Sequence, residues 1–234
     1  MKSFLQLPTI TVLVLGLLVP AAASGRAAAA RELPVATSLI GTYAPNQVEP
    51  SRLGAGGTFR ARLFPIPVRF TTPNAAWSGA QGRTLSKGIV STERGPYGWL
   101  QLATSGGTVS IITAYGRTAS VATIVNGLRT RGRGATYEPT VPARVGSFAG
   151  QQFDGQVSGE LHIFVPFTPK SGAARYVSDA YELTRGDSFR IVVLNVRSKS
   201  VVLLIRGEGL SIDQLPAFLE GIDPLLTSLR FPVR

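Results

Sequence analysis

Cysteine is absent from this 234-residue chain. That excludes disulfides, thiolate metal sites, cysteine nucleophiles and a lipid anchor on an N-terminal cysteine. Histidine is almost absent: His162 stands alone, so no histidine pair can hold a metal ion. In an extended stretch it shares a face with Glu160 and Phe164, opposite Leu161 and Ile163, and no partner is nominated that would make it a general base. A serine on a Gly-x-Ser-x-Gly turn is missing too. The nearest run, Gly146-Ser147-Phe148-Ala149-Gly150, places its serine one residue early. Carboxylates are scarce, 13 against 24 basic residues. They form no Asp-x-Asp loop, and no pair is singled out for hydrolysis. Gly54 to Gly57 precedes a strand and does not join a strand to a helix, so a phosphate-cradling loop is excluded. The residue pattern therefore nominates no catalytic residue, no metal ligand and no cofactor.

What is present in excess is positive charge, a formal +11 with arginine as 20 of the 24 cations. Two readings attach to it. One is affinity for an anionic envelope polymer or lipid head groups, and the other is an arginine-biased composition that serves solubility. Nucleic acid is not among the expected partners. The tightest cluster is Arg129, Arg131 and Arg133 in Arg-Thr-Arg-Gly-Arg-Gly, nominated as an anion-binding site. The alternative is that these cations complement the dipole at a helix end. Trp77 is nominated as an aromatic contact, since partly exposed rings carry much contact energy, while Trp99 in a strand is assigned to the core. Arg185-Gly186-Asp187 spells an adhesion tripeptide, but Gly-Asp before a strand is turn chemistry.

The N-terminus has an address. Lys2, the apolar run Phe4 to Val19 broken by Gln6, Pro8 and Thr9, and small residues at Ala21-Ala22-Ala23 predict a signal peptide over 1–23. The apolar run is short for a span of about 20 residues. The chain is thus expected to be exported, extracellular or associated with the cell envelope, and not lipid-anchored. Exported chains without disulfides are more at home in a bacterial envelope. Residues 24–57, rich in Ala, Pro and Gly, are expected to be a flexible tether with one short paired piece at Leu39 to Tyr43. Residues 58–234 are expected to form a single domain.

Within that domain, Phe59, Ala61, Val68 and Phe70 alternate with arginines, a strand at an edge or bent by Pro65 and Pro67. Tyr97–Leu102 and Val109–Tyr115 flank Gly106-Gly107 as a hairpin. Thr118 is a candidate cap for a helix over 118–130, whose Val121, Ile124, Val125 and Leu128 share a face. Short strands follow at 140–145, 148–157 and 161–166. The centre of the chain is a second hairpin, 189–196 and 201–205, turning at Arg197 to Ser200. Both of its runs are apolar on successive residues, which requires cover on both faces or burial deep in one core. Leu215, Phe218, Leu219, Ile222, Leu225, Leu226 and Leu229 place a helix beside it over 213–227. Asp213 is the candidate cap, and Asp223-Pro224 is expected to kink or restart the helix. The fold class is α+β, a mostly antiparallel sheet covered by a mid-chain helix and a C-terminal helix.

That order, with a proline-bearing first strand, Trp77, and the closing run Leu225-Leu226-Thr227-Ser228-Leu229-Arg230-Phe231, resembles exported bacterial proteins with a PsbP-like or LpqN-like α/β sandwich. The resemblance implies non-enzymatic binding or assembly, with no functional residue transferred. The expected function is an exported, non-catalytic binding or interaction module, its partner an anionic polymer, lipid head groups or another envelope protein. The alternative is a hydrolase or small-ligand carrier with a pocket between sheet and helices.

Overall fold

A computed structural model describes residues 30–33, 51–61, 63–84, 90–91, 97–114, 118–131, 134–159, 161–163 and 182–232. The predicted signal segment and the predicted pairing at Leu39 to Tyr43 lie outside these residues. In chain order the strands are β1 (Arg31–Glu32), β2 (Ser51–Arg52), β3 (Thr58–Ala61), β4 (Val68–Thr71), β5 (Ser78–Thr84), β6 (Val90–Ser91), β7 (Tyr97–Thr104) and β8 (Gly107–Ala114). Helix α1 (Val121–Arg131) follows, then β9 (Ala135–Tyr137), β10 (Val141–Val145), β11 (Phe148–Val157), β12 (Leu161–Ile163) and β13 (Glu182–Thr184). The chain closes with β14 (Ser188–Val196), β15 (Lys199–Gly207) and α2 (Leu215–Ser228). The class is α+β, with a mostly antiparallel sheet and, among the described residues, two helices.

The main sheet runs β10-β11-β14-β15-β8-β7-β5-β2, with β6 and β9 added at its sides. Every pairing in it is antiparallel. Its register explains the continuous apolar runs. The row Val192, Leu203, Ile111, Leu100 points to one face, where Leu215, Leu219, Ile222 and Leu225 of α2 pack. The next row, Val193, Val202, Ile112, Trp99, points to the other, where Ile124, Val125 and Leu128 of α1 pack. Successive strand residues face opposite ways, so an unbroken apolar strand is what a sheet with two covered faces demands. The turn is tighter than expected: Arg197 (φ 52°) and Ser198 (φ 66°) alone form it, as in a two-residue loop with both φ positive.

The stretch expected to be a tether is in part structure. β1 pairs in parallel with β3, and β2 pairs with the edge of β5. Leu33 and Leu53 are buried in the α2-side core. Gly79 makes room for them, since a Cβ there would sit 3.0–3.2 Å from Leu53, Leu102 and Leu33 side-chain atoms. Buried Gln81 fastens this end, its amide donating to the Leu33 carbonyl (2.6 Å) and accepting from the Leu63 amide (2.8 Å). Composition conceals such a segment because two apolar anchors suffice to dock it.

Residues 58–71 are a hairpin and not one bent strand. β3 and β4 pair around the prolines, with Phe59 and Phe70 stacked at 5.6 Å. Two caps also differ from expectation. Ser120 caps α1, its hydroxyl accepting from the Thr123 amide (3.2 Å), while Thr118 Oγ1 accepts from the Ser200 amide (2.8 Å). At α2 the residue before the helix is Gln214, whose side chain accepts from the Ser211 amide (2.9 Å). Asp213 is exposed. The helix continues through Pro224 without restarting, because Leu225 and Leu229 beyond it stay in the core.

Replacing Leu219 by Asp places an unpaired charge in the α2-side core. That costs several kcal/mol against a typical stability of about 5–15, so the variant is expected to lose its cooperative thermal transition by circular dichroism. A soluble, cooperatively melting Leu219→Asp protein would show that this face is not buried.

Candidate functional site

Of the residues nominated from sequence, Arg129 and Trp77 are described with their side chains, and both are engaged in packing. Arg129, in the last turn of α1, donates to Thr140 Oγ1 (2.6 Å) and lies over the rings of Tyr137 (6.0 Å) and Phe153 (5.6 Å). It clamps the helix end to the sheet through cation–π contacts and is not a free anion ligand. Burial raises the Tyr137 pKa while the Arg129 charge opposes the shift. The side chain of Arg131 and all of Arg133 lie outside the described residues. Trp77 is buried at 2% exposure against the α2-side core. It is therefore a packing residue and not a contact surface, in the same core as Leu33 and Leu53. The backbone of His162 pairs with Leu183, and its side chain lies outside the described residues.

Asp187 is also buried, at 2% exposure. Its Oδ2 accepts from the Thr184 amide (2.7 Å), Thr184 Oγ1 (3.0 Å) and Arg206 Nε (2.8 Å), and its Oδ1 from the Gly209 amide (3.0 Å). The carboxylate ties the turn before β14 to the turn after β15. An adhesion tripeptide must offer its aspartate to solvent, and this one does not.

A different cluster emerges at the turn end of the β14–β15 hairpin. There Arg69 of β4, Arg197 of the turn and Arg230 line a cleft of about 700 Å³ with Ser147, Phe148 and Thr227. The closing segment builds it. Leu229 and Phe231 are buried, Phe231 edge-on to Phe148 at 5.4 Å, so Arg230 between them faces outward. Its backbone pairs with Arg69 in both directions, at 2.9 and 2.8 Å. Arg197 donates to the carbonyls of Pro232 and Phe231, each at 2.8 Å. Arg230 donates to those of Thr227 (2.5 Å) and Leu229 (2.9 Å). Holding a non-glycine residue at positive φ costs about 1–2 kcal/mol, and the paired grip of Arg197 on the closing segment offsets part of that.

The two ends of the hairpin differ in charge. At the open end Arg190 meets Asp154 through two bonds (2.7 and 2.8 Å), and Arg206 meets Asp187. At the turn end, among the described residues, Arg69, Arg197 and Arg230 meet no carboxylate, and none lines the cleft. Neutral carbonyls orient a guanidinium without cancelling its charge, so positive potential concentrates here. Arginine suits such a place because its planar fork binds carboxylate or phosphate in pairs of bonds.

A second cleft, of about 530 Å³, lies on the α1 side of the same turn. Gln151, Asn195 and Ser198 line it, with residues 118–122 opposite. The latter segment is pinned to β15 by the Thr118–Ser200 bond and by Ser200 Oγ donating to the Ala119 carbonyl (2.7 Å).

Sequence reasoning missed Arg69, Arg197 and Arg230 because they lie far apart along the chain. The alternation of Leu229, Arg230 and Phe231 was a usable signal, and so was an arginine at a hairpin tip where Asn or Gly is preferred.

Asp187→Ala strands Arg206, the Thr184 hydroxyl and two amide donors in a buried site. It is expected to cost about 3–5 kcal/mol, read as a lower denaturant midpoint. An unchanged midpoint would remove Asp187 from the structural framework. Compared with models of known protein families and with curated proteins, the chain matches none.

Proposed function

We propose that this protein is an exported, non-catalytic binding module of the cell envelope, and that the Arg69–Arg197–Arg230 cleft takes an anionic ligand. The observation that carries it is the unneutralised arginine cluster, set against the paired arginines at the other end of the same hairpin. The overall charge of +11 supports the same sign of partner. Export is supported by the basic, apolar and small-residue pattern of residues 1–23. An antiparallel sheet between a mid-chain and a C-terminal helix supports placing the domain with the PsbP-like or LpqN-like sandwiches.

Arg69→Ala/Arg230→Ala tests the cleft, with binding of inorganic polyphosphate read by titration calorimetry. Each charge-assisted hydrogen bond is worth about 1.5–3 kcal/mol, so affinity should fall at least about tenfold. Binding by the unaltered protein should weaken steeply with salt, as screening shortens to about 8 Å at physiological ionic strength. Arg69 has no side-chain partner among the described residues, so Arg69→Ala alone should leave the melting temperature nearly unchanged. Full affinity in the double variant would place the anion site elsewhere. Export has its own measurement: N-terminal sequencing of envelope material should begin near Ser24, and retention of Met1 in salt-washed membranes would show an anchor instead.

A further inference from the structure

The two clefts are neighbours along the chain as well as in space. Gly146, Ser147 and Phe148 line the basic one, and Ala149, Gly150 and Gln151 line the other. Arg197 lines the first and Ser198 the second, so a two-residue turn separates them. The lining changes character across that turn. One side offers guanidinium groups beside the half-buried Phe148 ring, and the other offers neutral amides and a hydroxyl. On the α1 face, Asn195 continues the row begun by Ile191 and Val193, and Gln151 the row that includes Phe153. No hydrogen bond joins the side chains of Gln151, Asn195 or Ser198 to another described residue. Three such groups converging on a cleft are free to bond a ligand that is rich in hydroxyls.

Building on the anion-binding function proposed above, we infer that the two clefts form one bipartite site for a polyhydroxylated anion. Its acidic group sits among Arg69, Arg197 and Arg230, and its hydroxyl-bearing chain crosses the Arg197–Ser198 turn onto Gln151, Asn195 and Ser198. The ligand class is a sugar or polyol polymer bearing carboxylate or phosphate. A membrane head group would fill the arginine cleft and leave the amide cleft unused. The Arg197–Ser198 turn is the pivot, since both residues hold positive φ where glycine or asparagine would do so at less cost. Each extends a functional group into its own cleft.

The test compares four probes on the purified chain: poly(glycerol phosphate), a polyuronate oligosaccharide, inorganic polyphosphate and phosphatidylglycerol vesicles. Gln151→Ala/Asn195→Ala should weaken binding of the hydroxylated polyanions about tenfold, from two lost hydrogen bonds, and leave polyphosphate binding unchanged. Arg69→Ala/Arg230→Ala should weaken all soluble polyanions together. Ser198→Gly removes the hydroxyl while easing the backbone, so it should lower affinity for the hydroxylated probes without lowering the melting temperature. If the amide variants and Ser198→Gly bind all probes as the unaltered protein does, while the arginine variant does not, the bipartite site is wrong and the anion-binding function stands. If no polyanion binds, both are wrong. Binding to vesicles alone would assign the arginine cleft to a lipid head group and overturn the bipartite site.

Discussion

Burial of β14 and β15 on both faces is the constraint from which the other arrangements follow. A strand whose successive residues are Ile191, Val192, Val193 and Leu194 has no side it can show to water. One face therefore needs α2 and the β1-β3-β4 sheet, and the other needs α1. Each added layer removes apolar surface from water at roughly 25 cal/mol per Å², and neither layer can be lost without exposing a row of the central hairpin. Within β14 and β15, polar and charged groups are left only the ends of the strands. At one end they pair with carboxylates, and at the other they line two clefts. With both faces of the sheet occupied by packing side chains, chemistry collects at the hairpin tips.

The clefts depend in turn on how the closing segment is held. Ser228 Oγ both accepts from the Thr71 amide (2.9 Å) and lies 3.1 Å from the Thr71 carbonyl, to which it can donate. The Arg69–Arg230 backbone bridge follows, then the burial of Phe231 against Phe148, then the Arg197 grip. These contacts join β4, the β10–β11 turn, the β14–β15 turn and the end of α2 around one cavity. The guanidinium groups of Arg197 and Arg230 are thus oriented before any ligand arrives, which lowers the ordering cost of binding.

At the other end of the molecule the same logic uses a neutral group. Gln81 is fully buried and satisfied by one carbonyl and one amide from segments on either side of it. A buried amide in that position makes docking of the N-terminal strand specific, because a displaced strand would leave it unpaired at about 1–3 kcal/mol.

The amino-acid sequence alone determined the elements whose cause is local. The central hairpin, the neighbouring strand (expected at 109–115, found at Gly107–Ala114), the α1 and α2 faces and the 148–157 strand follow from hydrophobic period and turn residues, while cover on both faces was one of two readings those apolar runs allowed. Arg185-Gly186-Asp187 was legible as a turn for the same reason. What needed tertiary structure is everything decided by residues distant in the chain. Leu33 and Leu53 dock because Gly79 clears a space for them, Trp77 is buried in the same core, and Thr118 leaves the cap of α1 to Ser120 because Ser200 needs an acceptor. Arg129 was visible as a cation, but its Thr140 and aromatic partners were not. Proximity in sequence drew attention to the 129–133 cluster, whereas the arginines that line one cleft come from β4, a hairpin tip and the closing segment. Charge is a property of single residues and can be counted along a chain. Whether a charge is neutralised depends on which carboxylate lies beside it in space, and only the folded chain settles that.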